Sequence, residues 1–161
     1  AKELLNKLVN DETYKNEAEK ILALINRKIE LSQKFTKKIK LEKNGDHFLI
    51  KAILNEDVTV TLLLDTGASV TIIDDSIMNK INYTMTNQNV ELNTAGGFVT
   101  AKQVLIKSFS IDDTIVKDMQ IVISKMYDNS FDGLLGMSFF RQFDFYIDQK
   151  NSILYLNAKL D

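Results

Sequence analysis

The 161-residue chain has no cysteine, no proline and no tryptophan, and its only histidine is His47. Without thiols there can be no disulfide, cysteine-type zinc site, iron–sulfur cluster or cysteine nucleophile. The same absence decides nothing about redox compartment. One histidine leaves no His-rich metal cluster and argues against a serine–histidine triad, so neither metal nor cofactor is expected. No run of 18 or more apolar residues exists, and no signal-peptide hydrophobic region. The sequence starts at Ala1 rather than Met, which fits a processed or trimmed piece.

What is present is ordinary globular composition: 45% apolar residues, 26% charged and a formal net charge of −2. Wholesale disorder is excluded by that balance. The length favours one domain with an appendage. A domain of this size buries roughly two thirds of its unfolded surface, enough for a core without staples. Charge is unevenly placed. Residues 1–43 carry 11 Lys/Arg against 7 Asp/Glu, while residues 44–161 carry 9 against 15. A basic segment could meet a membrane surface or nucleic acid, but Lys and Glu interleave here, as in Glu17, Glu19, Lys20 and Arg27, Lys28, Glu30. That is the pattern of a solvated helix face. The acidic remainder would repel phosphate, so nucleic acid is not an expected partner.

Periodicity divides the chain near residues 40–45. Tyr14, Ala18, Ile21, Leu22, Ile25 and Ile29 recur at helical spacing and predict a helix over about 13–35, with Asp11 as N-cap. A shorter helix over 2–9, carrying Leu4, Leu5 and Leu8, precedes it. The 4-3-4 spacing of residues 14, 18, 21 and 25 resembles a heptad seam too short to define a coiled coil. Beyond Asn44-Gly45 the period shortens. Strands are expected at 47–54, 58–64, 70–73, 90–94, 98–106, 109–111, 115–124, 131–135, 143–147 and 153–156, with a turn or two of helix at 75–81 and a short helix at 138–142. Turns fall at Asn55-Glu56-Asp57, Gly96-Gly97, Asp112-Asp113-Thr114 and 148–151. No 20–50-residue repeat is present. The expected architecture is mainly β, a closed barrel or sandwich over 44–161 with one short C-terminal helix, preceded by an N-terminal helical arm over 1–43.

The most informative stretch is Leu62-Leu63-Leu64-Asp65-Thr66-Gly67-Ala68-Ser69-Val70. An acid placed directly after three leucines stands at the end of a buried strand, where donors must offset the cost of its desolvation. Thr66 offers a hydroxyl, and Gly67 an N–H that can come close. A carboxylate ringed by donors is equipped for acid–base work. The plainer alternative is a turn capped by Asp65, with Gly67 at positive φ. Ser69 does not sit in a nucleophile elbow, and His47 opens a strand, so a serine mechanism is not expected. His47 reads as a half-buried strand residue. Phe139, Phe140, Phe143, Phe145 and Tyr146 read as core, and the five methionines as packing.

The Leu-Leu-Asp65-Thr66-Gly67-Ala68-Ser69 pattern resembles the active-site loop of the retropepsin-like aspartic proteases. So do Gly45-Asp46-His47-Phe48 before it, Thr94-Ala95-Gly96-Gly97 at the flap position, and Leu134-Leu135-Gly136-Met137-Ser138-Phe139-Phe140 near the end, as in bacterial members. The resemblance covers about residues 44–158, one retropepsin subunit. It implies that Asp65 is the catalytic acid, Thr66 the residue locking two active-site loops across a subunit interface, and Gly67 the glycine contacting the carboxylate. Ala68 and Ser69 complete the loop. Ala95, Gly96, Gly97 and Phe98 would form the flap over a bound peptide, and Leu134-Leu135-Gly136 would pack behind the loop. An acid, Asp132, precedes that segment where viral members typically place an arginine after its glycine, which puts the viral style of dimer salt bridge in doubt. Bacterial relatives often carry a membrane anchor ahead of this domain, so a tether upstream of residue 1 and a periplasmic location are implied.

Such proteases need two carboxylates about 3 Å apart sharing one proton. Only one Asp-Thr-Gly occurs here. Asp74-Asp75 and Asp112-Asp113 sit in a helix start and a turn, and Asp132-Gly133 lacks the hydroxyl residue. The expectation is therefore a homodimer donating one Asp65 per subunit and cleaving peptide or protein substrates. Two other readings stay open: a catalytically silent interaction or dimerisation module of the same fold, and an arm over 1–43 that regulates the groove or the pairing.

Overall fold

The computed structural model describes residues 12–94 and 96–159. The expected helix over 2–9, the expected Asp11 cap and Ala95, expected in the flap, lie outside them. The chain divides into two compact units, 1–36 and 37–161.

In the first unit, helix α1 (Glu12–Lys34) occupies the predicted stretch. Its spacing gives a broad apolar stripe, of which Ala18 is buried whereas Tyr14, Ile21, Leu22, Ile25 and Ile29 stand about half exposed. No helix among the described residues is long and apolar enough to cross a membrane.

The second unit is a sheet closed on itself. Its strands are β1 (Lys37–Lys40), β2 (Glu42–Asn44), β3 (His47–Leu54), β4 (Val58–Leu64), β5 (Ile72–Asp74), β6 (Thr84–Thr94), β7 (Gly97–Ile111), β8 (Thr114–Ser124), β9 (Gly133–Leu135), β10 (Phe143–Asp148) and β11 (Ile153–Ala158). Two single-turn helices interrupt them, α2 (Asp75–Met78) and α3 (Met137–Phe140). The large sheet runs β2-β3-β4-β9-β5-β8-β7-β6, and pairing of Ile53 and Leu54 with Ser110 and Phe109 joins β3 to β7, closing the barrel. A smaller sheet, β1-β11-β10, holds the chain's last strands. The hairpins β3–β4, β6–β7, β7–β8 and β10–β11 follow the turn signals.

Three features depart from the sequence reading. Residues 37–44, assigned by sequence to the arm and its boundary, form strands: Lys37–Lys40 pairs with Ile153–Leu156, and Glu42–Asn44 with His47–Leu49. Segments 98–106 and 109–111 are one continuous strand. Two pairings are parallel, β4 with β9 and β5 with β8, a connection that local turn signals cannot announce.

Alternation along the strands fills the barrel. Leu54, Leu62, Ile73, Ile106, Phe109, Ile111, Ile121 and Leu135 are fully buried, as are Met78 and Met119. Phe139 anchors an aromatic cluster, with ring centroids 5.6 Å from Phe109, 5.4 Å from Phe140 and 5.0 Å from Phe143; Phe140 lies 4.8 Å from Phe145. These separations suit tilted and edge-on contacts that add to the burial itself. Phe139 and Phe140 are core, as expected, and Phe143 and Phe145 pack half-buried against it, whereas Tyr146 lies outside the core beside Tyr155. His47, in contrast, is exposed at the start of β3 rather than half-buried, and Met85 is exposed rather than packed.

Phe139→Ala would leave a cavity on which three rings converge. We expect a loss of about 3–5 kcal/mol in unfolding free energy, measured as a drop in the urea midpoint at unchanged m-value.

Candidate active site

Asp65 follows β4 directly, and its loop is held from below by β9. That strand lies between the two legs of the loop: it runs parallel to β4 on one side and antiparallel to β5 on the other. Asp65 N–H donates to Leu135 O (3.0 Å), and Met137 N–H donates to Ala68 O (2.8 Å). Thr71, fully buried, ties the loop's exit to the start of α3. Its hydroxyl accepts from Gly136 N–H (3.2 Å) and lies 2.9 Å from Ser138 Oγ, which itself accepts from Thr71 N–H (2.9 Å). Arg141 closes the brace, its Nη2 donating to Ser69 O (2.8 Å).

Two glycines permit this close crossing. A Cβ on Gly136 would lie 2.1 Å from Val70 O, and one on Gly133 would lie 2.0 Å from Ile72 O, so neither position accepts any side chain. At Gly67 the need is milder and different. Its N–H donates to Asp65 Oδ1 (3.0 Å), and a Cβ there would press on the same oxygen at 3.2 Å. Gly67 does not have positive φ; closeness to the carboxylate is its role.

The half-buried Asp65 opens onto a cleft of about 1290 Å³. Gly67, Ala68 and Ser69 line it beside the acid, and the β6–β7 hairpin supplies Leu92, Gly96 and Val99. Thr94 shapes the hairpin tip, its hydroxyl donating to Gly97 O (2.7 Å) and accepting from Gly96 N–H (3.3 Å), with Gly97 at φ +105°. Phe98, 76% exposed, sits at the tip without lining the cleft, and Gly97 does not line it either. Thr66 is exposed outside the cleft, and its hydroxyl makes no hydrogen bond with any described residue. His47 lies elsewhere. Among the described residues no group of acids and histidine could hold a metal ion.

The other acids of interest are structural. Asp132 Oδ2 accepts from Thr61 N–H (2.8 Å), and its backbone joins Thr61 and Asp74, so it secures β4 and β5. Asp113 pairs with Lys37 at the β7–β8 turn. Asp74 caps α2. The sequence reading missed the brace of Thr71, Ser138 and Arg141, and it missed the Lys125–Tyr127 segment, which also lines the cleft. Thr71 left one faint signal, a polar residue inside an otherwise apolar run.

Two outcomes follow from this geometry. Gly136→Ala forces apart two backbones that already touch, and should cost about 3 kcal/mol or more, read as loss of the cooperative unfolding transition or a large fall in its midpoint. Hydrogen bonding from the Ser76 hydroxyl, opposed by partial burial and aided by the N–H groups of Met126 and Ser76, holds the Asp74 carboxyl below the usual carboxylate range. Its stabilising contribution is complete above the unfolded-state value and fades as pH falls through the depressed one. The difference in urea midpoint between wild type and Asp74→Asn should thus be constant from pH 7 to about 5 and shrink as the pH falls further.

Comparison with known proteins agrees with this geometry. The family model described as aspartyl protease matches residues 50–139, more than half of the chain. A crystal structure of a retropepsin-like aspartic protease from Rickettsia conorii superposes with a TM-score of 0.56 at 27% identity, covering 76% of this chain and 91% of that one. EIAV protease, in complex with the inhibitor HBY-793, superposes with a TM-score of 0.51 at 16% identity, covering 62% of this chain and 90% of that one, a likeness of fold. No curated protein matches. The chain belongs to the aspartyl protease family and has the retropepsin-like fold.

Proposed function

We propose that this protein is an aspartic endopeptidase that works as a homodimer, with one Asp65 from each protomer flanking the attacking water. The observation that carries the reading is the placement of Asp65 on a rigidly braced loop, half-buried, at the side of a large cleft beneath a β-hairpin. The volume of that cleft exceeds what a small metabolite needs and suits an extended peptide.

The stoichiometry is chemical. Hydrolysis of an amide needs one group to take a proton from water and another to give a proton to the carbonyl oxygen. Two adjacent carboxylates sharing one proton supply both. Within the chain Asp132 is committed to Thr61, Asp113 to Lys37 and Asp74 to Ser76 and Met126, while Asp75 and Glu91, which also line the cleft, belong to no second Asp-Thr-Gly loop. A second copy provides the missing acid. Thr66 is exposed beside Asp65 with an unengaged hydroxyl, which supports a role in meeting the partner's loop. Gly67 N–H orients one carboxylate oxygen, leaving the other for water. The flap hairpin then covers the peptide and excludes bulk solvent.

Asp65→Asn should fold as the wild type does and lose at least about 10³-fold in kcat/KM on a peptide library. In dilute solution, specific activity of the wild type should rise with concentration and plateau once the dimer is saturated. Retained cleavage by Asp65→Asn, or full activity in a chain shown by sedimentation to be monomeric, would overturn the reading.

A further inference from the structure

We infer that Asp74 is a positioning residue that fixes one wall of the cleft, and that Met126, held by it, sets the preference for an apolar substrate side chain. The inference rests on the protease reading above and assigns a substrate contact within that site.

The parallel ladder between β5 and β8 ends where Asp74 faces Ser124. The next eight residues, up to Gly133, form no helix or strand. Their first part nevertheless lines the cleft through Lys125, Met126 and Tyr127. A segment that leaves its sheet needs another partner for its backbone if it is to present a fixed surface. The Asp74 side chain supplies one: Oδ2 accepts from Met126 N–H at 2.7 Å, across 52 residues of sequence. Its second oxygen, Oδ1, is anchored by Ser76 N–H (2.9 Å) and Ser76 Oγ (2.6 Å), so the carboxylate is itself immobilised. In effect one side chain prolongs the ladder past its end.

What the bond presents is apolar. Met126 packs on a small cluster of Ile72, Ala101 and Val122, with Leu92 and Leu134 on its margin. This cluster is separate from the barrel core and joins the active-site loop's exit to the base of the flap hairpin. Methionine adapts its shape, so where its backbone is fixed decides what it accommodates. Tyr127 and Lys125 stack at the rim, the ammonium 5.6 Å from the ring centroid, with Tyr127 87% exposed.

The test is made by Asp74→Asn. Asparagine caps a helix as well as aspartate does, so α2 keeps its start through Oδ1. Its amide NH₂ then faces the Met126 N–H, donor against donor, and only that bond is lost. Two peptides differing in one residue beside the scissile bond, Leu or Ala, are assayed with wild type, Asp74→Asn, Met126→Ala and the double variant. For Asp74→Asn we expect KM for the Leu peptide to rise five- to tenfold with kcat within twofold, and the Leu-over-Ala discrimination to fall by about tenfold. Met126→Ala should lose discrimination similarly, and the double variant should be no worse than either single one. Unchanged discrimination in either single variant, equal loss in kcat for both peptides, or multiplicative effects in the double variant would overturn the assignment. If Asp74→Asn does not fold, Met126→Ala alone decides. A wild type that cleaves neither peptide fails the protease reading instead, and the wall is then judged by calorimetry, through the same Leu-over-Ala discrimination in binding a pair carrying a statine unit in place of the scissile bond.

Discussion

The site depends on a backbone crossing with no space for a side chain. Strand β9 threads between the legs of the Asp65 loop, and at Gly133 and Gly136 even a methyl group would overlap a carbonyl of the neighbouring leg. Van der Waals contact of that closeness, together with the bonds from Asp65 to Leu135 and from Met137 to Ala68, ties a surface loop firmly to the core. The buried Thr71 adds polar connections that a purely apolar contact would lack. A carboxylate carried on such a support keeps its geometry without reorganisation, which is the requirement for acid–base chemistry on an amide.

The barrel around the crossing has a simple energetic plan. Aliphatic side chains from β3, β4, β5, β7 and β8 fill the interior, and the aromatic group centred on Phe139 closes it beneath α3. Because α3 directly follows Gly136, the residues that pack most densely adjoin the residues that cross most closely. The second apolar cluster, around Ile72 and Val122, lies outside this core and belongs to the cleft. One cluster fills the barrel and the other faces the cleft.

Much of this was legible in the sequence because its signals are local. The Asp65-Thr66-Gly67 run after three leucines, the turn at Gly96-Gly97 and the alternation of β3 and β4 each occupy a few consecutive residues. The same holds for the aromatic core and for helix α1. What escaped is what depends on distant partners. Lys37–Lys40 is a poor strand by composition, with Ile39 alone buried, and it forms because Ile153–Leu156 offers it a paired edge. The parallel pairings carry no turn signature. Asp74 read only as part of a helix start, Ser138 only as a member of the 134–140 segment, and Arg141 not at all; their importance comes from single hydrogen bonds that no periodicity encodes. His47 and Met85 were misread for a related reason: burial at strand ends is set by neighbours, not by residue type.

The β6–β7 hairpin stands in contrast to the crossing. Its tip rests on bonds of Thr94 and on glycines, and its ladder carries a bulge between Met85 and Gln88, where Asn87 has φ +58°. Nothing at the tip is packed as β9 is packed. Mutational freedom is accordingly partitioned: the Asp65 side of the cleft can hardly vary without unfolding the barrel, whereas the exposed hairpin tip, Thr94 and 96–100, and the Lys125–Tyr127 rim can be rebuilt at little cost to the core. A lineage, or an engineer, seeking new targets for this scaffold would find its room for change on that side alone.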